Sequence, residues 1–152
     1  GLDRLDGFRR AMGEDFDPDL VEIGDFTTPS GVVGATKLLG RRPDLDALFV
    51  ASDMMALGAV ATLQAAGRRV PEDVAVVGFD DIELAAIANP PLTTVRQHTM
   101  DQGRLMAQVL LRQLGREVKE PMPELVRLQG LAVPMAPQGV VLDVALVVRA
   151  SA

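Results

Sequence analysis

Residues 74–85 read VAVVGFDDIELA. The opening apolar residues run on without alternation, as expected of a parallel strand covered by helices on both faces. Two adjacent carboxylates, Asp80 and Asp81, follow Gly78 and Phe79. Asp is a favoured helix cap and turn former, so these two alone imply no more than a loop. Upstream, however, the same layout recurs. ALFVA (47–51) is an apolar strand followed by Ser52 and Asp53, with Asp53 placed as the N-cap of a helix over MMALGAVATLQAAG that closes at Gly67. Earlier still, LVEI (20–23) is short and apolar enough for a strand, and it leads into the loop GDFTTPSG. Thr28 as N-cap and Pro29 at the first helical position then open a helix that runs to Gly40.

At the start of the chain, RLDGFRRAM (4–12) places Leu5, Phe8 and Met12 on one stripe of an amphipathic helix. Helix, strand, helix, strand, helix, strand at this spacing predicts an α/β fold: a doubly wound, mostly parallel sheet flanked by helices, with right-handed crossovers. In such sheets ligands bind outside the carboxyl ends of the strands. Asp25 with Phe26, Ser52 with Asp53, and Asp80 with Asp81 all fall there, so three strand ends deliver polar or aromatic groups to one rim.

Beyond Asp81, IELAAIA is a short helical or irregular apolar stretch, the Pro90–Pro91 pair breaks any helix, and LTTVR reads as a further strand or crossover. Thr99 and Gln102 form the pattern of a capping box ahead of an amphipathic helix over residues 99–115. Residues 116–139 are rich in Pro, Gly and charge and predict a long irregular loop, and VVLDVALVVRA predicts two short strands joined around Asp143.

Composition narrows the chemistry. The 152 residues are 48% hydrophobic and 24% charged, which suits a chain burying one core. With no cysteine and one histidine, His98, thiolate metal sites, a cysteine nucleophile and a Ser-His-Asp arrangement are excluded or improbable, and neither a metal nor a cofactor is expected. A net charge of -6 opposes broad contact with phosphate backbones. No apolar stretch reaches the roughly 20 residues that span a bilayer, and GLDRLDGFRR lacks the layout of a signal peptide. The expectation is a cytoplasmic protein without a membrane partner.

Taken together, RLDGFRRAM, VEIGDFTTPSGVVGATKLL, PDLDALFVASDMMALGAVATLQAAGRRVPEDVAVVGFDDIELA and PPLTTVRQ resemble the C-terminal part of the ligand-sensing domain of LacI/GalR-type transcriptional regulators. VVLDVALVVRAS matches more weakly. The resemblance implies a periplasmic binding protein-like fold of type I, whose two α/β subdomains close on a small molecule. Residues 1–91 and about 140–152 would belong to the C-terminal subdomain. Residues 92–115 would be the crossover and a helix of the N-terminal one, and the DNA-reading helix-turn-helix would lie outside this chain. Two departures from the family stand out: the stretch EPMPELVRLQGLAVPMAPQG is long for its link, and Asp143 stands where proline is common.

By the same resemblance, Arg4 and Asp80 grip the ligand from opposite sides, Phe26 packs on its flat face, Ser52 and Asp53 follow the central strand, and Gln97 reaches the cleft from the crossover. A guanidinium offers a fork of donors and a carboxylate accepts in pairs, which suits adjacent sugar hydroxyls. A sugar or sugar derivative is therefore the first choice of effector, and a purine the second. A homodimer is implied through residues 54–65 and 85–91, with Leu57, Leu63, Ile87 and Pro90 as apolar surface. Operator DNA would be a partner only through the helix-turn-helix. Two other classes compete. An enzyme using the Asp cluster lacks an accompanying nucleophile, metal set or phosphate loop. A periplasmic sugar receptor of the same fold would be told apart by a signal peptide upstream.

Overall fold

The structure is a computed structural model that describes residues 1–117 and 143–152. Helix α1 (Leu2–Met12) leads through 3-10 turns at Gly13–Asp15 and Pro18–Leu20 to α2 (Thr28–Arg41). Then come β1 (Ala47–Phe49), α3 (Asp53–Ala65), β2 (Ala75–Asp80), the short α4 (Glu83–Ile87) and β3 (Thr93–Gln97). Helix α5 (Thr99–Gln113) and strand β4 (Val144–Val147) complete the described elements. The sheet order is β1-β2-β3-β4. β1 pairs parallel with β2 through Leu48 and Val76, and β2 with β3 through Gly78 and Thr94, which is the predicted α/β class. The chain divides into two compact units, Gly1–Arg96 with Leu146–Ala152, and Gln97–Ala145.

The core of the first unit lies between the sheet and α2 and α3. Ala56, Leu63, Val74, Val76, Ala85 and Leu92 have no exposure there, and Leu38, Leu39, Leu45, Val50 and Ile82 pack at its rim. Burying each of the Leu and Val side chains contributes about 1.5–3 kcal/mol before entropy is counted. The two helices cross closely because glycines meet at the contact. A Cβ on Gly31 would run into the Met55 backbone, and one on Gly58 into the Thr28 carbonyl.

Along β2 and the residue before it, Val74, Val76 and Gly78 are buried while Ala75, Val77 and Phe79 are half-buried, so one face is packed fully and the other thinly. The unbroken apolar run thus conceals an alternation. On α1, Leu5 and Phe8 are half-buried and Met12 is exposed; Phe8 stacks on Phe49 of β1 with ring centroids 5.5 Å apart.

Several local expectations shift. LVEI is not a strand: Leu20 ends a 3-10 turn, Val21 is extended and Ile23 is 82% exposed, and the segment joins no ladder among the described residues. Extended apolar backbone becomes a strand only when a neighbour satisfies its N–H and C=O groups. Helix α2 is capped by Thr27, whose hydroxyl accepts from the Ser30 N–H, so Thr28 is already helical. Ser52 rather than Asp53 caps α3, accepting from the Met55 N–H at 3.3 Å. The Thr99/Gln102 box does not form. His98 occupies the N-cap position without a side-chain bond, and Gln102 instead donates to the Gln97 side chain at 3.3 Å. Residues 118–139 of the expected loop, and the first of the two expected terminal strands at 140–142, lie outside the described residues.

Leu63 must be removed from the apolar surface assigned to a dimer. It has no exposure and sits inside the core, because the helix face that carries it is the one that covers the sheet. Ile87 is 78% exposed, while Leu57 and Pro90 are half-buried.

Candidate functional site

The parallel ladder ends β1 and β2 at the same rim, since Phe49 is level with Val77 and β2 continues to Asp80. Arg4, near the start of α1, reaches that rim. Its Nη2 donates to Asp80 Oδ1 at 3.1 Å and its Nη1 donates to the Ala51 carbonyl beyond β1. The guanidinium carbon lies 3.9 Å from the centroid of the Phe79 ring and 5.9 Å from that of Phe26. A planar cation over an aromatic face is attracted by the ring quadrupole and loses little by desolvation, so the stack orients the fork as well as holding it. Arg4 and Asp80 keep 22% and 29% side-chain exposure, which leaves this donor and acceptor edge open to solvent.

Phe26 owes its presentation to the loop before α2. Asp25 Oδ1 accepts from the Thr27 N–H at 3.0 Å and from the Thr27 hydroxyl at 2.6 Å, and the Asp25 N–H donates to Ser30 Oγ at 3.2 Å. These bonds, led by the Thr27 and Ser30 hydroxyls, hold the Asp25 carboxyl down to about 2. Pinned on both sides, Phe26 takes a φ of 67° and remains 45% exposed. Left-handed backbone at a bulky residue is uncommon and marks an imposed conformation.

Behind the rim lies a second layer. Asp53 has no exposure, and its Oδ1 accepts from Thr94 Oγ1 at 2.5 Å and its Oδ2 from the Ile82 N–H at 2.9 Å. Burial pushes its carboxyl up, and the neighbouring Asp80 charge adds to that, against the lowering effect of the Thr94 and Ile82 bonds. Asp81, whose side chain is 7% exposed, is gripped by Arg149 Nη2 at 2.7 Å and Arg96 Nε at 2.5 Å. Arg149 also donates to the Leu92 carbonyl at 2.8 Å, and Ser151 receives the Thr93 N–H and donates to the Val76 carbonyl. The end of the chain thereby staples β2 to β3.

Of the residues expected at the site, Arg4, Phe26 and Asp80 come together at one rim. Arg4 and Asp80 touch one another directly, and Arg4 also lies near Phe26. Ser52 and Asp53 lie inward, with 3% and no exposure, and both carboxylate oxygens of Asp53 are engaged, which leaves it no face for a ligand. Gln97 begins the second unit and its side chain meets Gln102. Sequence reasoning missed Phe79, although it is one of only five aromatic residues and adjoins Asp80. Thr94, Arg96 and Arg149 were also missed, since no local pattern announces a partner so far away in the chain. Among the described residues no cluster suited to a metal ion exists, and no helix is long and apolar enough to cross a membrane.

The profile of the periplasmic binding protein-like domain matches residues 2–151. CelR of Thermobifida fusca, an HTH-type transcriptional regulator, is 50% identical over 124 residues, which make up 80% of this chain and 36% of that protein. The solved structure of a CelR–cellobiose complex is similar with a TM-score of 0.82 at 44% identity, over 99% of this chain and 42% of that one. A sugar-binding regulator of the LacI family from Escherichia coli, solved with phosphate, gives 0.79 at 27% identity over 99% and 49% of the two chains. The present chain therefore spans about a third of the curated relative's length and under half of each solved one.

Proposed function

The chain belongs to the periplasmic binding protein-like domain family, and from that premise we propose that it is the C-terminal part of the effector-sensing domain of a LacI/GalR-type transcriptional regulator. The observation that carries this reading is the Arg4–Asp80 pair, stacked on Phe79 beside the exposed Phe26 at the ends of β1 and β2. A forked donor next to a paired acceptor matches vicinal hydroxyls, and a ring face matches the apolar C–H face of a pyranose. Cellobiose, the sugar in the CelR complex, is the first candidate because CelR is also half identical in sequence. A second subdomain would supply the other wall of the cleft. Effector binding would then change operator affinity in a helix-turn-helix domain by favouring one of two subdomain arrangements. The working form is a homodimer, with exposed Ile87 in its contact.

Thermal unfolding of the intact protein with cellobiose, glucose and a purine nucleoside tests this. A ligand that binds only the folded state stabilises it by about 2.7 kcal/mol at a hundred times its Kd. Cellobiose should raise the Tm of the native protein and leave that of Asp80→Ala unchanged. An equal rise in both would remove Asp80 from the site.

A further inference from the structure

We propose that Asp53 is a positioning residue: its buried carboxylate fixes the backbone of the Asp80–Ile82 turn and so aims the Asp80 side chain at Arg4. The inference rests on the reading of Arg4 and Asp80 as effector ligands, and it moves Asp53 from the ligand surface to the layer behind it.

The turn needs such a hold. Asp80 has φ 114° and Asp81 φ 55°, both in the region that L side chains rarely adopt, and neither is glycine. Two consecutive such residues persist only where surroundings over-determine them. Both backbone N–H groups that follow Asp80 are led to the same carboxylate. Ile82 N–H donates to Asp53 Oδ2 at 2.9 Å, while Asp81 N–H donates to Thr94 Oγ1 at 3.4 Å, whose own hydroxyl donates to Asp53 Oδ1 at 2.5 Å. Thr94 is level with Gly78 in the parallel ladder, so the relay crosses from α3 through β3 to the end of β2.

Room for the carboxylate is built into β2 as well. A Cβ on Gly78 would collide with Asp53 Oδ1 and press on Leu92, so the glycine two residues before Asp80 leaves space for the hold on the turn beyond it. Asp53 stands in the first turn of α3, where the helix dipole favours an anion and eases the burial of its charge. The residues that follow the β1 end thus serve the site through β2: Ser52 closes the helix, and Asp53 shapes the turn that carries Asp80.

The test combines site-resolved amide exchange in the intact protein with cellobiose titration. In Asp53→Ala the Ile82 amide should exchange at least tenfold faster while the Val76 amide keeps its native rate, and the slow-rotation signal of the Arg4 guanidinium should be lost. Asp53→Asn retains an oxygen for Ile82 but cannot accept from Thr94, so it should restore protection at Ile82 and not at Asp81. Thr94→Val, which keeps the shape of the core, should release Asp81 alone and reports even if Asp53→Ala does not fold. Equal acceleration at Ile82 and Val76, or unchanged protection at Asp81 in Thr94→Val, would mean that Asp53 serves only global stability and would overturn the proposal. Cellobiose affinity separates the two readings. A loss in Asp80→Asn but none in Asp53→Ala removes the positioning role, whereas no loss in Asp80→Asn removes the site reading and leaves the amide results to decide the turn.

Discussion

Arg149 Nη2 lies 2.7 Å from Asp81 Oδ1, joining residues 68 positions apart in the chain. Asp81 is nearly buried and Arg149 is only 19% exposed, so the pair is held out of water, whereas Arg96, the second partner, is 49% exposed. Removing one member of a buried pair strands the other charge, at a cost of about 3–5 kcal/mol. Arg149→Ala should approach that range in urea unfolding, and Arg96→Ala should stay near the roughly 1 kcal/mol of an exposed pair. Equal losses would show that the depth of the two bridges does not decide their worth.

The same cluster predicts an acid limb. Burial alone would push the Asp81 carboxyl up, but the Arg149 and Arg96 bonds and charges outweigh it and hold the group below its ordinary value of 3.8. A carboxylate lowered by folding adds stability above that ordinary value and loses it as pH falls through the folded one. Asp53 has the opposite sign: its raised carboxyl favours folding most when protonated, and its contribution declines as pH climbs past 3.8. Urea midpoints of Asp81→Asn should therefore lie well below native at neutral pH and converge on it in the acid limb. Those of Asp53→Asn should show a relative gain toward high pH.

Arg4→Lys keeps the charge and removes the planar fork. The ammonium cannot donate to both the Ala51 carbonyl and Asp80 while lying flat on Phe79. Calorimetric titration with cellobiose should show at least about a tenfold loss of affinity, equivalent to about 1.4 kcal/mol, with thermal stability altered far less. Retained affinity would mean that charge alone suffices.

Two glycines of α2 should respond to alanine with opposite signs. Gly31 lies against the Met55 backbone, so Gly31→Ala overpacks the α2–α3 crossing and should cost about 1–3 kcal/mol or more. Gly40 faces open space, and Gly40→Ala should stabilise by about 0.5–1 kcal/mol through the unfolded chain. Chemical denaturation of the two variants reads both signs in one experiment.

The order of helices and strands was legible because its signals are local. Apolar runs, helical stripes and glycine stops placed α1, α2, β1, α3 and β2 to within a few residues, with caps displaced by one, Thr27 for Thr28 and Ser52 for Asp53, while the alternatives left open at α4 and β3 were settled by the fold. That displacement matters chemically, because it frees Asp53 from the helix end and sends its carboxylate to Thr94 and Ile82. The segment 20–23 misled for the converse reason, since its composition is that of a strand and strand formation depends on a neighbour.

By itself the sequence determined the α/β class and the shared edge at the ends of β1 and β2 where Asp80 stands, because residues at the ends of parallel strands share an edge whatever the packing beneath. Arg4 on α1, by contrast, was pointed to by the family resemblance, and Phe26 follows a segment that joins no ladder among the described residues. Tertiary structure alone decided which groups face a ligand and which hold the rim in place. It put Leu63 in the core, Phe79 under Arg4, and Arg149 on Asp81, and it set the left-handed backbone of Phe26, Asp80 and Asp81. Burial and hydrogen-bond partnership are properties of residues distant in the chain brought together, and local propensity carries no record of them.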